Sequence, residues 1–232
     1  MYELHIANKN YSSWSLRPWL LLSEFDIPFH ERLVSFASGP GLNWEAFRAF
    51  SPNGRVPCLR DNDTVVWDSM AIAEYLAERH PGVWPPDPEV RAWARCAAAE
   101  MHSGFGPLRT HCPMICGLRI RLSDDLPPSL RGDIARIDEL WSEGLTRFGG
   151  PFLAGKAFGA VDAFFAPVAF RIQTYGLTLG DAATAYAQRL RELPGMRRWY
   201  AAALLESWRD PTHEDEAKQA GTLLEDLRAP VG

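Results

Sequence analysis

The sequence predicts a mixed α/β region over residues 1–80, a linker at 81–87 and an all-helical region over 88–232. Three observations carry that division. Strand and helix signals alternate through the first part. The run His80-Pro81-Gly82-Val83-Trp84-Pro85-Pro86-Asp87-Pro88 then places four prolines and a glycine in nine residues, the composition of a linker. Every later periodic segment has helical spacing.

Residues 2–7 are a short apolar strand. A helix follows over 13–25, with Pro18 tolerated in its first turns. Alternation predicts a strand over 29–36, Gly39-Pro40-Gly41 a loop, and 44–50 a short helix. Two strands, 56–60 and 64–67, flank Asp61-Asn62-Asp63, a turn-rich triplet. Ile72, Tyr75 and Leu76 set the apolar face of a helix over 71–79. After the linker, Asp87 and Pro88 read as a cap and a first helical residue. Helices are expected over 89–100, 129–148, 161–175, 182–193 and 195–208, and the polar residues after them as a loose tail.

The 232 residues are 47% hydrophobic and 23% charged, ordinary for a packed globular chain. A net charge of −5 argues against nucleic acid as a partner, which calls for a basic footprint. Arg189, Arg191, Arg197 and Arg198 do cluster, but as a solvated helix face ahead of acidic residues. No apolar run suits a bilayer and no basic-then-apolar leader opens the chain, so a cytoplasmic protein without membrane contact is expected. Of four cysteines, Cys112 and Cys116 lie beside His111. A zinc site takes about four ligands. Pro113 and the lack of a second Cys/His pair leave these as plain thiols, and no metal is expected.

Three motifs carry the chemistry. Tyr11-Ser12-Ser13-Trp14-Ser15-Leu16-Arg17 stands where a strand gives way to a helix. Hydroxyls there cap the helix, and its N-terminus carries partial positive charge that favours a thiolate. In Asn53-Gly54-Arg55-Val56-Pro57, Pro57 directly precedes a strand and is a candidate for a cis bond. A cis bond there would turn the Val56 amide and carbonyl toward an extended ligand, as in the thioredoxin-like fold. In Trp67-Asp68-Ser69, an acid and a hydroxyl open a helix, which suits the ammonium and carboxylate of an α-amino acid end.

The order and spacing of these motifs, followed by a helical region, resemble the cytosolic glutathione transferases. The serine-type, zeta-like bacterial branch is the most similar. The residues from Gly155 to Pro167 are similar to the family's helix-start motif in its second domain, with Gly159 where a Ser or Thr usually caps and Asp162 retained. The resemblance implies a thioredoxin-like N-terminal domain, a helical C-terminal domain, a homodimer and glutathione as co-substrate. It implies Ser12 as the catalytic hydroxyl that donates to the glutathione sulfur. Lowering a thiol by two pH units takes about 2.7 kcal/mol of thiolate preference. One hydrogen bond to an ion plus a helix terminus has that size.

Ser13 is then a rival or supporting donor. Arg55 faces the glycyl carboxylate, Val56 and Pro57 hold the cysteinyl backbone, and Asp68 and Ser69 hold the γ-glutamyl end. Trp14 stands where zeta enzymes often have cysteine. The electrophile, small and hydrophobic or acidic, is expected between the domains near Trp14, His102, Phe105, Arg109 and Arg171. Gly104, Gly106, Pro107 and Pro113 are expected to bend the helix there, with His102, Phe105 and Arg109 on one face. The implied activity is conjugation of glutathione to small electrophiles. Zeta-type maleylacetoacetate isomerisation, glutathione peroxidase activity and a non-catalytic interaction module are the alternatives.

Overall fold

The computed structural model describes residues 1–36 and 42–230. The loop expected at 39–41 lies outside the described residues. The first part contains β1 (Tyr2–Ile6), α1 (Ser13–Glu24), β2 (Phe29–Leu33), α2 (Leu42–Arg48), β3 (Cys58–Asp61), β4 (Thr64–Trp67) and α3 (Ser69–Ala77). The second contains α4 (Pro88–Ser103), α5 (Gly106–His111), β5 (Leu118–Leu122), α6 (Pro128–Phe148), α7 (Ala160–Tyr175), α8 (Asp181–Glu192), α9 (Pro194–Leu205), α10 (Pro211–Ala220) and β6 (Gly221–Asp226).

The sheet order is β2-β1-β3-β4. β1 runs parallel to β2 and antiparallel to β3, and β3 is antiparallel to β4. Val56–Pro57 is a cis peptide. Asp87 caps α4 as its sequence position implies, accepting from the N–H groups of Glu89 and Val90 at 2.9 and 3.0 Å. Helix α7 forms the centre of the molecule and is buried from Ala160 to Arg171, packing on α1, α4 and α8.

At the start of α7, Asp162 accepts from the N–H of Gly159 at 2.9 Å and of Leu153 at 3.0 Å, and from the Tyr186 hydroxyl at 2.7 Å. Gly159 has a physical reason here. A Cβ on it would lie 3.2 Å from the Val83 carbonyl oxygen, which Ala160 N–H already bonds at 2.8 Å.

Two expectations are corrected. The helix after the linker breaks instead of bending. Gly104 is extended, Phe105 takes a left-handed φ of 57°, and Pro107 sits in the first turn of the new helix. His102, Phe105 and Arg109 therefore do not share one helical face. The second correction concerns the C-terminus, which is neither loose nor purely helical. α10 packs down and β6 pairs antiparallel with β5. The ion pairs of Arg228 with Glu214 and Asp226 fasten this segment, and Tyr11 donates to Glu214 at 2.7 Å. Polar residues that read as solvated are here paired with one another.

Candidate active site

The loop after β1 delivers two serines to the start of α1. Ser12 is the N-cap. Its Oγ accepts from Ser15 N–H at 3.4 Å and donates to Ser15 Oγ at 2.7 Å. Ser15 Oγ also accepts from Ala7 N–H at 3.3 Å, which ties the pair to the end of β1. Tyr11, the third hydroxyl of the loop, is committed to Glu214. Burial and that bond raise its pKa far above the ordinary phenol value.

These hydroxyls face a cavity of about 400 Å³. Ser12, Ser13, Trp14, Arg55, Val56, Arg109 and Arg171 all line it, so seven of the residues singled out in the sequence meet there. A larger hollow of about 700 Å³ lies between β5, α6 and the end of α7, but it holds none of the three motifs. Arg109 and Arg171 are tied to backbone carbonyls. Arg109 donates to Gly104 O at 3.1 Å and to Met101 O. Arg171 donates to Cys112 O at 2.8 Å. Burial lowers the pKa of both, to about 10 for Arg171.

The remaining sequence-derived residues, Pro57, Asp68, Ser69, His102 and Phe105, are not among those that line the cavity. Pro57 follows Val56 at its edge. Asp68 is the N-cap of α3, accepting from Met70 N–H at 2.7 Å. Its φ of 75° with ψ of 137° is a conformation that L-residues rarely adopt. Ser69 is fully buried, and its Oγ accepts from Arg17 Nη1 at 3.3 Å. His102 Nδ1 is 3.4 Å from the same nitrogen. Since a guanidinium only donates, Nδ1 is the acceptor, and the Nε2 hydrogen points to Asp68 Oδ2 at 3.5 Å. Burial first, then Arg17 and Arg109, lower the His102 pKa against the pull of Asp68. Phe105 packs in the core instead of lining the cavity.

Arg17 is the residue that sequence reasoning quoted without giving it a role. It is fully buried between the rings of Trp14 and Phe164, at 4.3 and 4.8 Å. Burial, with repulsion from Arg109 and Arg171, pushes its pKa well down. Its signal was an arginine on the buried side of an otherwise apolar helix, three residues after Trp14. His213 and Glu216 of α10 also line the cavity and were missed, because the tail was read as loose.

The four cysteines are free, and Cys58, Cys112 and Cys116 are buried. Burial pushes the Cys112 thiol up to about 12.

Residues 11–79 match the model of the glutathione S-transferase N-terminal domain, and residues 97–202 that of the C-terminal domain. The chain belongs to the glutathione S-transferase family of enzymes. It is 30% identical over 203 residues to the glutathione S-transferase GstB of Escherichia coli K12, covering 78% of this chain and 83% of that protein. It is 34% identical over 98 residues to a probable maleylacetoacetate isomerase of Caenorhabditis elegans, covering 41% of this chain and 44% of that one. A Burkholderia glutathione transferase homologue, solved with bound glutathione, has the same fold. The TM-score is 0.66 at 22% identity, over 87% of this chain and 97% of the other. Within the family frame, α1, the Val56–Pro57 peptide and α3 are the elements of the first matched domain that carry the candidate site. Arg109 and Arg171 come from the second.

Proposed function

We propose that this chain is a serine-type, zeta-like transferase that conjugates glutathione to small electrophiles through a thiolate held by Ser12. The observation that carries the reading is the convergence of Ser12, Ser13, Arg55 and Val56 on one cavity at the N-terminus of α1. The helix end supplies positive potential, and Ser12 supplies the donor.

Ser12 donates its proton to Ser15. A hydroxyl has one proton and two lone pairs and rotates freely. When a thiolate arrives, Ser12 turns its O–H to the sulfur and Ser15 turns its own to Ser12. Ser12 then accepts from Ser15 and donates only to the sulfur, a polarised chain that ends on the negative charge. Arg55 receives the glycyl carboxylate and the Val56 backbone the cysteinyl unit. Asp68 and Ser69 take the γ-glutamyl end, with Arg17 behind Ser69 as buried positive charge. The positive φ of Asp68 costs on the order of 1–3 kcal/mol and supports a ligand role beyond capping. Trp14, Arg109 and Arg171 border the space for the electrophile. The enzyme works as a cytoplasmic homodimer in detoxification.

Thiolate absorbance of bound glutathione tests the reading. Ser12→Ala is expected to weaken thiolate preference by roughly 1.5–3 kcal/mol, raising the titration midpoint by about one to two pH units. Ser13→Ala has a smaller effect. An equal midpoint in wild type and Ser12→Ala rules out Ser12 as the donor.

A further inference from the structure

His102 lies in the last turn of α4, within the second matched domain, yet both its ring nitrogens meet side chains of the first. Nδ1 is 3.4 Å from Arg17 Nη1, and Nε2 is 3.5 Å from Asp68 Oδ2. Arg17 Nη1 also donates to Ser69 Oγ at 3.3 Å. One imidazole thus touches Asp68 directly and reaches Ser69 through a single guanidinium nitrogen. Arg17 is fully buried, and its Nε and Nη2 have no hydrogen-bond partner among the described residues. Its acceptors there are Ser69 Oγ and His102 Nδ1.

Packing accounts for an aromatic ring at this place. The imidazole meets Trp14 edge-on with centroids 5.2 Å apart, and its centroid is 6.1 Å from that of Phe164. Packing does not call for a lone pair facing Arg17 and a hydrogen facing Asp68. A phenyl ring would fill the space and serve neither.

We propose that neutral His102 is a positioning residue for the γ-glutamyl end of glutathione, holding Asp68 for its ammonium and Arg17 with Ser69 for its carboxylate. This rests on the reading of Asp68 and Ser69 as the γ-glutamyl site. The neutral ring has one lone pair and one hydrogen, and its two neighbours fix which nitrogen has which. A second proton has to go on Nδ1. It sets donor against donor at Arg17, and the imidazolium then competes with the ligand ammonium for Asp68.

The charged groups facing the ring come from several elements. α1 contributes Arg17, α5 Arg109 and the start of α3 Asp68, while α7 faces it with Phe164. On α4 itself, Glu100 is paired with Arg136. Burial, with the two arginines, lowers the ring's pKa against the pull of Asp68, which favours the neutral form. A ligand ammonium beside Asp68 lowers it further. Binding therefore expels a proton wherever the ring carries one. Affinity is full above the ligand-free pKa and is lost as pH falls through it.

S-Methylglutathione has no thiol, so its pH dependence reports on the binding groups alone. Calorimetry compares it with its desamino analogue, which lacks the α-ammonium, at pH 7.5 and pH 5. The proteins are wild type, His102→Gln, His102→Ala and Asp68→Asn. A difference of about one unit between the ligand-free and bound ring is about tenfold in affinity. Wild type is therefore expected to bind S-methylglutathione about tenfold more weakly at pH 5, and the desamino analogue with less than about twofold change. Glutamine offers an amide oxygen to Arg17 and an amide hydrogen to Asp68 but does not titrate. His102→Gln is expected to weaken binding at pH 7.5 much less than His102→Ala does, and to remove the pH dependence. Equal losses of both ligands at pH 5, no loss of either, or a wild-type pH dependence kept in His102→Gln overturns the proposal. Asp68→Asn that binds S-methylglutathione as wild type does at pH 7.5 overturns the γ-glutamyl reading beneath it instead.

Discussion

At the residue scale, the site turns on how few protons the hydroxyls have. Ser12 and Ser15 share one short contact, and Ser15 already accepts from Ala7. Ser15→Ala removes the group that hands a hydrogen bond to Ser12. It is expected to raise the thiolate midpoint of bound glutathione by less than Ser12→Ala does, with binding of S-methylglutathione unchanged. A midpoint equal to wild type would show that Ser15 only builds the helix start. A second prediction concerns isomerisation. The resemblance to zeta-type isomerases implies an arginine for their acidic substrate in the helix that starts at the Asp motif; carried over from Asp162, its register falls on Thr174. Here the Thr174 hydroxyl donates to Ile115 O at 3.0 Å, away from that task. Arg171 sits about 4.5 Å lower along the helix axis and is held by Cys112 O. Isomerase activity on maleylacetone is therefore expected to be weak beside conjugation. Robust isomerisation, lost in Arg171→Ala, would reverse that order.

At the scale of elements, α7 is set by one carboxyl. Burial pushes Asp162 up to about 6, even though Leu153 N–H, Tyr186 O–H and Gly159 N–H all pull the other way. The folded value lies above the ordinary 3.8, so the stability tied to this group is full below about 3.8. It is lost as pH rises through about 6. Asp162→Asn removes the titration, so its melting-temperature deficit relative to wild type is expected to shrink between pH 4 and pH 7. Asp162→Ala leaves three buried donors unpaired and costs roughly 3–5 kcal/mol at pH 4, a deficit that narrows toward pH 7 for the same reason. A deficit for Asp162→Asn that is constant with pH would reject the assignment.

Elements of this kind were legible in the sequence because their signals are local: Asp87-Pro88 at a helix start, Ser12 before an apolar run, Asp-Asn-Asp between two strands. The segment 118–122, Leu-Arg-Ile-Arg-Leu, also alternates perfectly. It falls under the expectation of a wholly helical second region, which β5 corrects, because the partner that makes it a strand lies about a hundred residues later. Separation along the chain also hid the contacts of Tyr11 with Glu214 and Arg228, 203 and 217 residues away, and with them the cavity wall formed by His213 and Glu216.

At the scale of the whole molecule, association was the property least available from spacing. β4 is an edge strand, and Trp67 at its end is 44% exposed. Trp44 is 57% exposed, on α2. Ser51, just before the turn that leads to β3, is buried and supports that turn through Asn53, so it offers nothing to a partner. Exposed indoles, here one on a sheet edge and one on a helix, are the groups that gain most from being covered, and a two-fold pair is the commonest closed arrangement. A stable pair needs about 800 Å² per partner, more than two indoles provide, so the contact has to extend well beyond them. A homodimer is therefore expected, with a mass by light scattering of twice 26.0 kDa at micromolar concentration. Trp67→Glu puts a charge into that contact and is expected to shift the population toward monomer while leaving the fold, by circular dichroism, unchanged. A wild-type mass of 26.0 kDa under the same conditions rejects the dimer. A dimer that survives Trp67→Glu moves the interface away from β4.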